Sequence, residues 1–223
     1  MKKINLIEYA DRLYLYLKEH GIKVNCHGFP VFPQEYLLTE IPDEILPFHH
    51  RNAAKDKSRT VICFYEEDDE LYKILMNLDS VAEECSAYMG ICGFDLSPCI
   101  FWDIRQQKFN LLLSQLVTLY IATKGIKVIP NFRIGNLETL PALLSYPKKS
   151  MFCVGSLGCS RKVSDFNMVQ FRTKVFCSRP ARLLYYGKIL RPYLIFLQEE
   201  EVPYKVYMDF RTKSYLKTGE NKK

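Results

Sequence analysis

From residue 60 onward, short apolar segments alternate with segments of helical periodicity. About six apolar segments occur, and they are rich in β-branched and aromatic residues: TVICFY, AYMGICGFDLS, GIKVIPNFR, SMFCVGS, ARLLYYG and VPYKVYMDFR. Strands that are joined by helices pair in parallel, and nearly continuous apolar strands indicate a sheet that is covered on both faces. The pattern predicts an α/β fold in which repeated βα units form either a parallel sheet or an incomplete (β/α) barrel.

The same pattern divides the chain into three regions. Residues 1–59 are predicted to form an N-terminal helix, over 4–19 and ending at Gly21, followed by an irregular covering segment. Four prolines forbid a long helix in that segment: Pro30, Pro33, Pro42 and Pro47. Residues 60–210 form the α/β domain, and residues 211–223 are expected to be a loose, basic C-terminal tail.

Composition excludes several classes of protein. No segment approaches the roughly 20 apolar residues of a membrane span, and Glu8, Asp11 and Arg12 interrupt what would be the apolar part of an export signal. None of the eight cysteines form a C-x-x-C pair, which favours a reducing cytoplasm over a disulfide framework. The histidines lack the spacing of zinc ligands. We therefore expect a cytoplasmic protein with no membrane span, no metal and no cofactor.

Charge is distributed unevenly along the chain. Residues 1–160 carry 17 Lys and Arg against 19 Asp and Glu, a net of −2, whereas residues 161–223 carry 14 against 6, a net of +8. Such an asymmetry is typical of a protein with an anionic partner such as nucleic acid. A solvated basic surface is the alternative interpretation.

Polar residues follow several of the predicted strands directly. Parallel sheets bind ligands at the carboxyl ends of their strands, because the loops there carry polar groups and helix N-termini. The candidates for a ligand or anion site at these ends are Asn131, Arg133, Ser156, Gly158, Arg161, Lys162 and Tyr186. The alternative is that these residues serve only as turn and capping residues.

Asp95 is the candidate catalytic residue. It ends an apolar strand, ICGFD, where loss of solvation would raise its pKa and suit it to acid–base chemistry. A structural role, as a helix cap or as the ion-pair partner of Arg133, is the alternative. Trp102, the single tryptophan, follows the same strand and could stack on a base or sugar, although core packing is the simpler role.

The loop within MFCVGSLGCSRK, residues 151–162, matches no catalytic motif. Ser156 directly follows Gly155, so the G-x-S-x-G spacing of a hydrolase elbow fails, and the glycines stand too close for a P-loop. Backbone N–H groups freed by glycine, together with Arg161 and Lys162, could still hold a phosphate or carboxylate. A plain turn with exposed cations explains the segment equally well.

Five stretches occur in a characteristic order: FYEEDDELYKIL, GFDLS, KGIKVIPNFRIG, SMFCVGSLGCSRK and RLLYYG. Over residues 35–210 they resemble a domain family of unknown function, numbered forty-four seventeen, found in phage and conjugative elements. Phe94 stands where that family usually has proline. The family motif falls on Asp69, Asp95, Ser97, Pro130, Asn131, Gly158 and Gly187. The resemblance implies an origin in a mobile genetic element and a bacterial host, and it implies no particular reaction.

Two functions follow as expectations. The first is a phage or plasmid protein that binds a host factor or nucleic acid, for example to inhibit a defence system such as a CRISPR nuclease. The alternative is a hydrolytic or nucleotide-processing enzyme with its site at the carboxyl ends of the strands, in which Asp95 is the acid or base and the arginines hold an anion.

Overall fold

The computed structural model describes residues 4–155 and 163–220, with side chains described as far as residue 216. It confirms an α/β fold built on parallel strands. Four strands form one sheet in the order β1 (Glu44–Pro47), β2 (Thr60–Cys63), β3 (Gly90–Cys92) and β4 (Val128–Ile129), and three form a second sheet in the order β5 (Met151–Gly155), β6 (Arg182–Tyr186) and β7 (Tyr204–Tyr207). Every pairing within the two sheets is parallel.

The two sheets continue one another. A parallel bridge pairs Asn131, just after β4, with Cys153 of β5, so the strands follow each other in sequence order. Side chains from all seven strands meet in one buried cluster: Ile45, Val61, Cys63, Cys92, Ile129, Met151, Cys153, Leu184, Tyr186 and Tyr207. A curved arc of strands around a common interior produces this arrangement.

The arc does not close into a barrel over the described residues, because no ladder pairs β7 with β1. Side chains cross the gap instead. The Tyr207 hydroxyl and the Lys205 ammonium both donate to the Pro42 carbonyl, over 2.7 and 2.9 Å. Lys213 Nζ also lies 3.0 Å from Glu44 Oε1.

The expectation of about six strands was too low, because it missed β1. This strand lies in the proline-punctuated segment and consists of only four residues, EILP. Pro47 can end it because β1 pairs on one side only, with β2, and an edge strand tolerates the missing N–H donor. The segment therefore contributes to the sheet and does more than cover it.

Eight α-helices flank the strands in the described part of the chain: α1 (Leu6–Glu19), α2 (Asp68–Leu75), α3 (Leu78–Cys85), α4 (Ile104–Thr123), α5 (Leu140–Leu143), α6 (Asp165–Ser178), α7 (Arg191–Glu199) and α8 (Phe210–Glu220). The expected N-terminal helix is confirmed as α1, which packs against α4 over the larger hydrophobic cluster. Across the described segments we find no helix with both the length and the apolar character that a membrane span requires.

Residues 211–220 of the segment expected to be a loose tail belong to α8. Asp209 starts this helix: its carboxylate accepts hydrogen bonds from the backbone N–H and the hydroxyl of Thr212. The Phe210 N–H donates to the Tyr186 hydroxyl over 2.9 Å, and the Phe210 ring stacks on His50 with centroids 3.9 Å apart. The capping aspartate and the aromatic anchor together explain why a basic segment is helical here.

Candidate functional site

The carboxyl ends of β3 and β4 bring Asp95 and Asn131 into contact. The Asn131 amide donates to Asp95 Oδ1 over 3.2 Å and to the Gly93 carbonyl over 2.8 Å. The strand register explains the contact, because Cys92 pairs with Ile129 and the segments after β3 and β4 then leave the sheet at the same edge. Gly93 leaves the space: a Cβ there would lie 3.3 Å from Asn131 Cγ.

Arg133 completes this group from the same strand end. Its Nη1 donates to Asp95 Oδ2 over 3.1 Å, so each carboxylate oxygen has a partner. The Asp95 side chain is 8% exposed and that of Arg133 is 30% exposed. A buried carboxylate thus holds a cation that reaches solvent. The ion pair foreseen as the structural role of Asp95 is present.

Burial raises the pKa of Asp95 above its ordinary value of 3.8, and the nearby Asp68 carboxylate adds to the rise. The positive charge of Arg133 and the hydrogen bond from Asn131 act in the opposite direction without cancelling it. The rise agrees with the expectation from the apolar sequence around Asp95. A carboxylate of raised pKa is a stronger base, which favours a role in proton transfer.

Tyr65, which follows β2, supports Asn131 and was missed by the sequence interpretation. Its hydroxyl donates to Asn131 Oδ1 over 3.1 Å. Its ring packs beside Tyr186, with centroids 5.8 Å apart, and against the backbone of Gly155. The sequence interpretation treated Tyr65 as the last apolar residue of a strand. The available signal was a tyrosine at the end of an apolar strand, because a buried tyrosine hydroxyl usually finds a hydrogen-bond partner.

Tyr186, one of the predicted ligand-binding residues, is fully buried in the interior cluster. Its hydroxyl accepts the hydrogen bond from Phe210 N that anchors α8. Burial raises the pKa of this phenol far above its ordinary value. Its ring stacks on that of Tyr65 and so supports the site through the interior cluster. A ligand-binding role for Tyr186 stays a prediction.

Four predicted site residues lie outside the described part of the chain: Ser156, Gly158, Arg161 and Lys162. They belong to the segment between Gly155, which ends β5, and residue 163. Their role in holding an anion stays a prediction.

The acidic turn after β2 is tied to the same edge of the sheet. Asp68 Oδ1 accepts a hydrogen bond from Ser97 N over 3.0 Å, and the Asn110 amide donates to the Ser97 carbonyl over 2.8 Å. Asp69, a motif residue of the resembling family, lies beside Asp68 in the first turn of α2. The turns after β2 and β3 are therefore fixed to each other.

A histidine that the sequence interpretation passed over lies beyond β1. His49 Nδ1 lies 3.2 Å from Glu66 Oε1, and its Nε2 lies 3.7 Å from Glu70 Oε2. It was missed because β1 was missed, so the residues after Pro47 were not treated as a strand end. No group of three or more metal-ligating side chains occurs among the residues that the structure describes.

Two open clefts, of about 370 and 540 Å³, lie at the opposite ends of β5–β7. Both are bordered by Phe176, which is 58% exposed, and by Arg179. Lys149, Arg179 and Glu201 border the second cleft and adopt left-handed backbone conformations at the turns into the three strands. Among the described residues that border these clefts there is no buried ion pair like that of Asp95 and Arg133, so we place the candidate site at the carboxyl ends.

The cations of the basic C-terminal third do not share one face in the described segments. Arg179 and Arg182 lie where β6 begins, and Lys188 and Arg191 follow its other end. Lys174 of α6 is occupied internally, since it donates to the Phe132 carbonyl over 3.0 Å and contacts that ring. The cations that the structure describes in this third of the chain are thus spread around the second sheet.

The comparisons with known proteins bear on family and leave the reaction open. No curated protein and no solved structure matches the chain. One family model matches residues 26–201, which is most of the chain. The match includes strands β1 to β6 and stops before β7. The chain therefore belongs to the family described as Domain of unknown function (DUF4417).

Proposed function

We propose that the protein is a hydrolytic or nucleotide-processing enzyme that acts on an anionic substrate at the carboxyl ends of its strands. The observation that carries the proposal is the buried Asp95 carboxylate, held between Asn131 and Arg133 on two neighbouring strand ends. Sites of this kind in parallel α/β proteins collect ligands because several loops converge there.

Each residue of the group has a role in the proposed reaction. Arg133 pairs with a phosphate or carboxylate of the substrate, for which a guanidinium is well suited. Asp95, as the carboxylate, takes a proton from the attacking water and later returns it to the leaving group. Asn131 and Tyr65 are positioning residues: Asn131 donates to the Asp95 carboxylate, and Tyr65 holds Asn131 in place.

The experiment is a hydrolysis assay with the full chain. The probes are p-nitrophenyl phosphate, the bis-p-nitrophenyl diester and nucleoside triphosphates. We expect turnover of at least one probe, a loss of kcat of about 10²–10⁴-fold in Asp95→Asn, and a raised KM in Arg133→Met. Asp43→Asn is the matched control, because Asp43 pairs with Arg59 over 3.1 Å before β1, at the opposite end of the sheet.

Two results would contradict the enzymatic proposal. One is full activity of Asp95→Asn with any probe that the wild type hydrolyses. The other is an equal loss of activity in Asp43→Asn. A loss of activity at both carboxylates would report general destabilisation of the fold and no chemistry at the carboxyl ends of the strands.

We also propose a second function, the binding of a host factor or nucleic acid in the cytoplasm of a bacterial host on behalf of a phage or plasmid. A defence system such as a CRISPR nuclease would be one target. The net +8 charge of residues 161–223 supports it, as does the association with mobile elements that the resemblance implies. Fluorescence anisotropy with labelled DNA and RNA tests the nucleic-acid version, because phosphate contacts must weaken as salt increases.

A further inference from the structure

We propose that the loop of residues 98–103, here called the aromatic loop, is a stacking platform for the bases of single-stranded nucleic acid. The inference rests on the proposed function, whose substrate class it specifies. Phe101 is 89% exposed, and Ile100 and Trp102 are each 38% exposed. Exposed apolar side chains that adjoin a polar site mark a binding surface, and aromatic rings bind bases of any sequence by stacking.

A buried side chain holds this loop in place. Gln107 is fully buried; its amide donates to the Trp102 carbonyl over 2.8 Å, and its Oε1 accepts from Asn136 N over 2.8 Å. Trp102 N also donates to the Cys99 carbonyl over 3.0 Å. This buried glutamine fixes the backbone that carries Phe101 and Trp102. The two rings are therefore pre-organised, which reduces the conformational entropy lost on binding.

The aromatic loop lies beside the candidate site. It begins at Pro98, one residue after Ser97, which is tied to Asp68. The Pro98 carbonyl lies only 3.1 Å from where a Cβ on Gly135 would stand, and Gly135 is two residues after Arg133. The turn that carries the anion-binding arginine therefore packs directly on the aromatic loop. In the proposed complex, a strand whose phosphate lies at Arg133 places a neighbouring base against this loop.

Cations flank the aromatic loop on two sides, and the acidic turn at Asp68 borders it beyond Ser97. Arg105 and Lys108 are exposed on the first turns of α4, immediately after the loop, and Arg133 is part-exposed on the other side. Asp103, the exposed last residue of the loop, caps α4 by accepting from Arg105 N. Aromatic rings between cations are what a single strand requires, since bases stack while phosphates pair along the track.

Trp102 is the only tryptophan of the chain, so its fluorescence reports on this loop alone. The experiment titrates the full chain with an oligothymidylate and with thymidine monophosphate, following tryptophan emission, in wild type, Phe101→Ala and Phe176→Ala. Phe176 is the matched control, an exposed phenylalanine of α6 beside the clefts at the far ends of the strands. We expect quenching by the oligonucleotide, about tenfold or greater weakening in Phe101→Ala, and no change in Phe176→Ala.

Several outcomes would overturn the inference. They are an absence of quenching, equal affinity of Phe101→Ala and wild type, or monophosphate binding as tight as the oligonucleotide. A wild-type dimer in sedimentation that Phe101→Ala dissolves would also overturn it, by assigning the patch to a second copy of the chain. Hydrolysis of p-nitrophenyl phosphate that depends on Asp95 is measured separately, so the inference can fail while the proposed function stands, and the reverse.

Discussion

Replacing Gly155 by alanine is expected to displace Tyr65 and so to loosen the site around Asp95. Gly155 ends β5, and its Cα faces the ring of Tyr65. An added Cβ would lie 2.7, 2.8 and 2.9 Å from three ring carbons. Carbon atoms pack at about 3.5–4.0 Å, so the ring must move by roughly 1 Å.

The ring has little room for that movement. Tyr65 is 8% exposed and packs on Tyr186, and its hydroxyl is bound to Asn131 over 3.1 Å. Overpacking of a core position costs about 1–3 kcal/mol, and loss of the hydrogen bond adds about 1 kcal/mol. We expect Gly155→Ala to lower the free energy of unfolding by about 2–4 kcal/mol in total.

Urea denaturation followed by far-ultraviolet circular dichroism measures this loss. Tyr65→Phe, which removes only the hydroxyl, should cost about 1 kcal/mol. In a Tyr65→Leu background the ring is gone, so the added methyl at residue 155 should cost much less than it does in the wild type. The double-mutant cycle should therefore show a coupling free energy of about 1 kcal/mol or more.

Two results would refute this reasoning. One is a loss below about 0.5 kcal/mol in Gly155→Ala, within the range of an ordinary surface substitution. The other is strict additivity of Gly155→Ala and Tyr65→Leu, which would show that the methyl group does not meet the ring.

Three further outcomes are expected. Arg179→Gly should stabilise the fold by about 0.5 kcal/mol in thermal melts, because Arg179 has φ 46 and ψ 63 at the end of α6, whereas Arg172→Gly within α6 should cost about 1 kcal/mol. The pKa of Asp95 in the folded state is raised above 3.8, so its carboxylate form destabilises the fold. Wild type should therefore lose stability relative to Asp95→Asn as pH rises from about 4. A difference in melting temperature that stays constant with pH would contradict this. Anisotropy with labelled single-stranded DNA should fall steadily with salt, and salt-independent binding would exclude phosphate contacts.

Much of the fold follows from local pattern in the sequence. Asp95 and Asn131 both stand among the candidates at the carboxyl ends of the predicted strands, and the structure brings them into contact. The spacing of Phe109, Leu112, Leu113, Leu116 and Tyr120 along one face predicts a long helix that stops at Gly125, and α4 confirms it. In these cases the local signal and the tertiary environment agree.

Other features depend on distant contacts that carry no local signal. Strand β1 has four residues and ends in Pro47, so its identity comes from pairing with β2. His49 was missed with it. The role of Tyr65 depends on Asn131, 66 positions away. The backbone of the aromatic loop is held by Gln107, which the sequence shows only as one polar residue of a helix. Burial and partners of such residues are set by the tertiary fold.

Hydrogen–deuterium exchange with and without inorganic pyrophosphate tests most directly whether the group around Asp95 is a ligand site. Binding at the carboxyl ends should slow exchange of backbone amides in residues 93–97 and 131–135, and Arg133→Met should abolish the effect. Protection confined to residues 148–149 and 179–182, at the opposite strand ends, would contradict it and would move the anion site to the clefts beside Arg179.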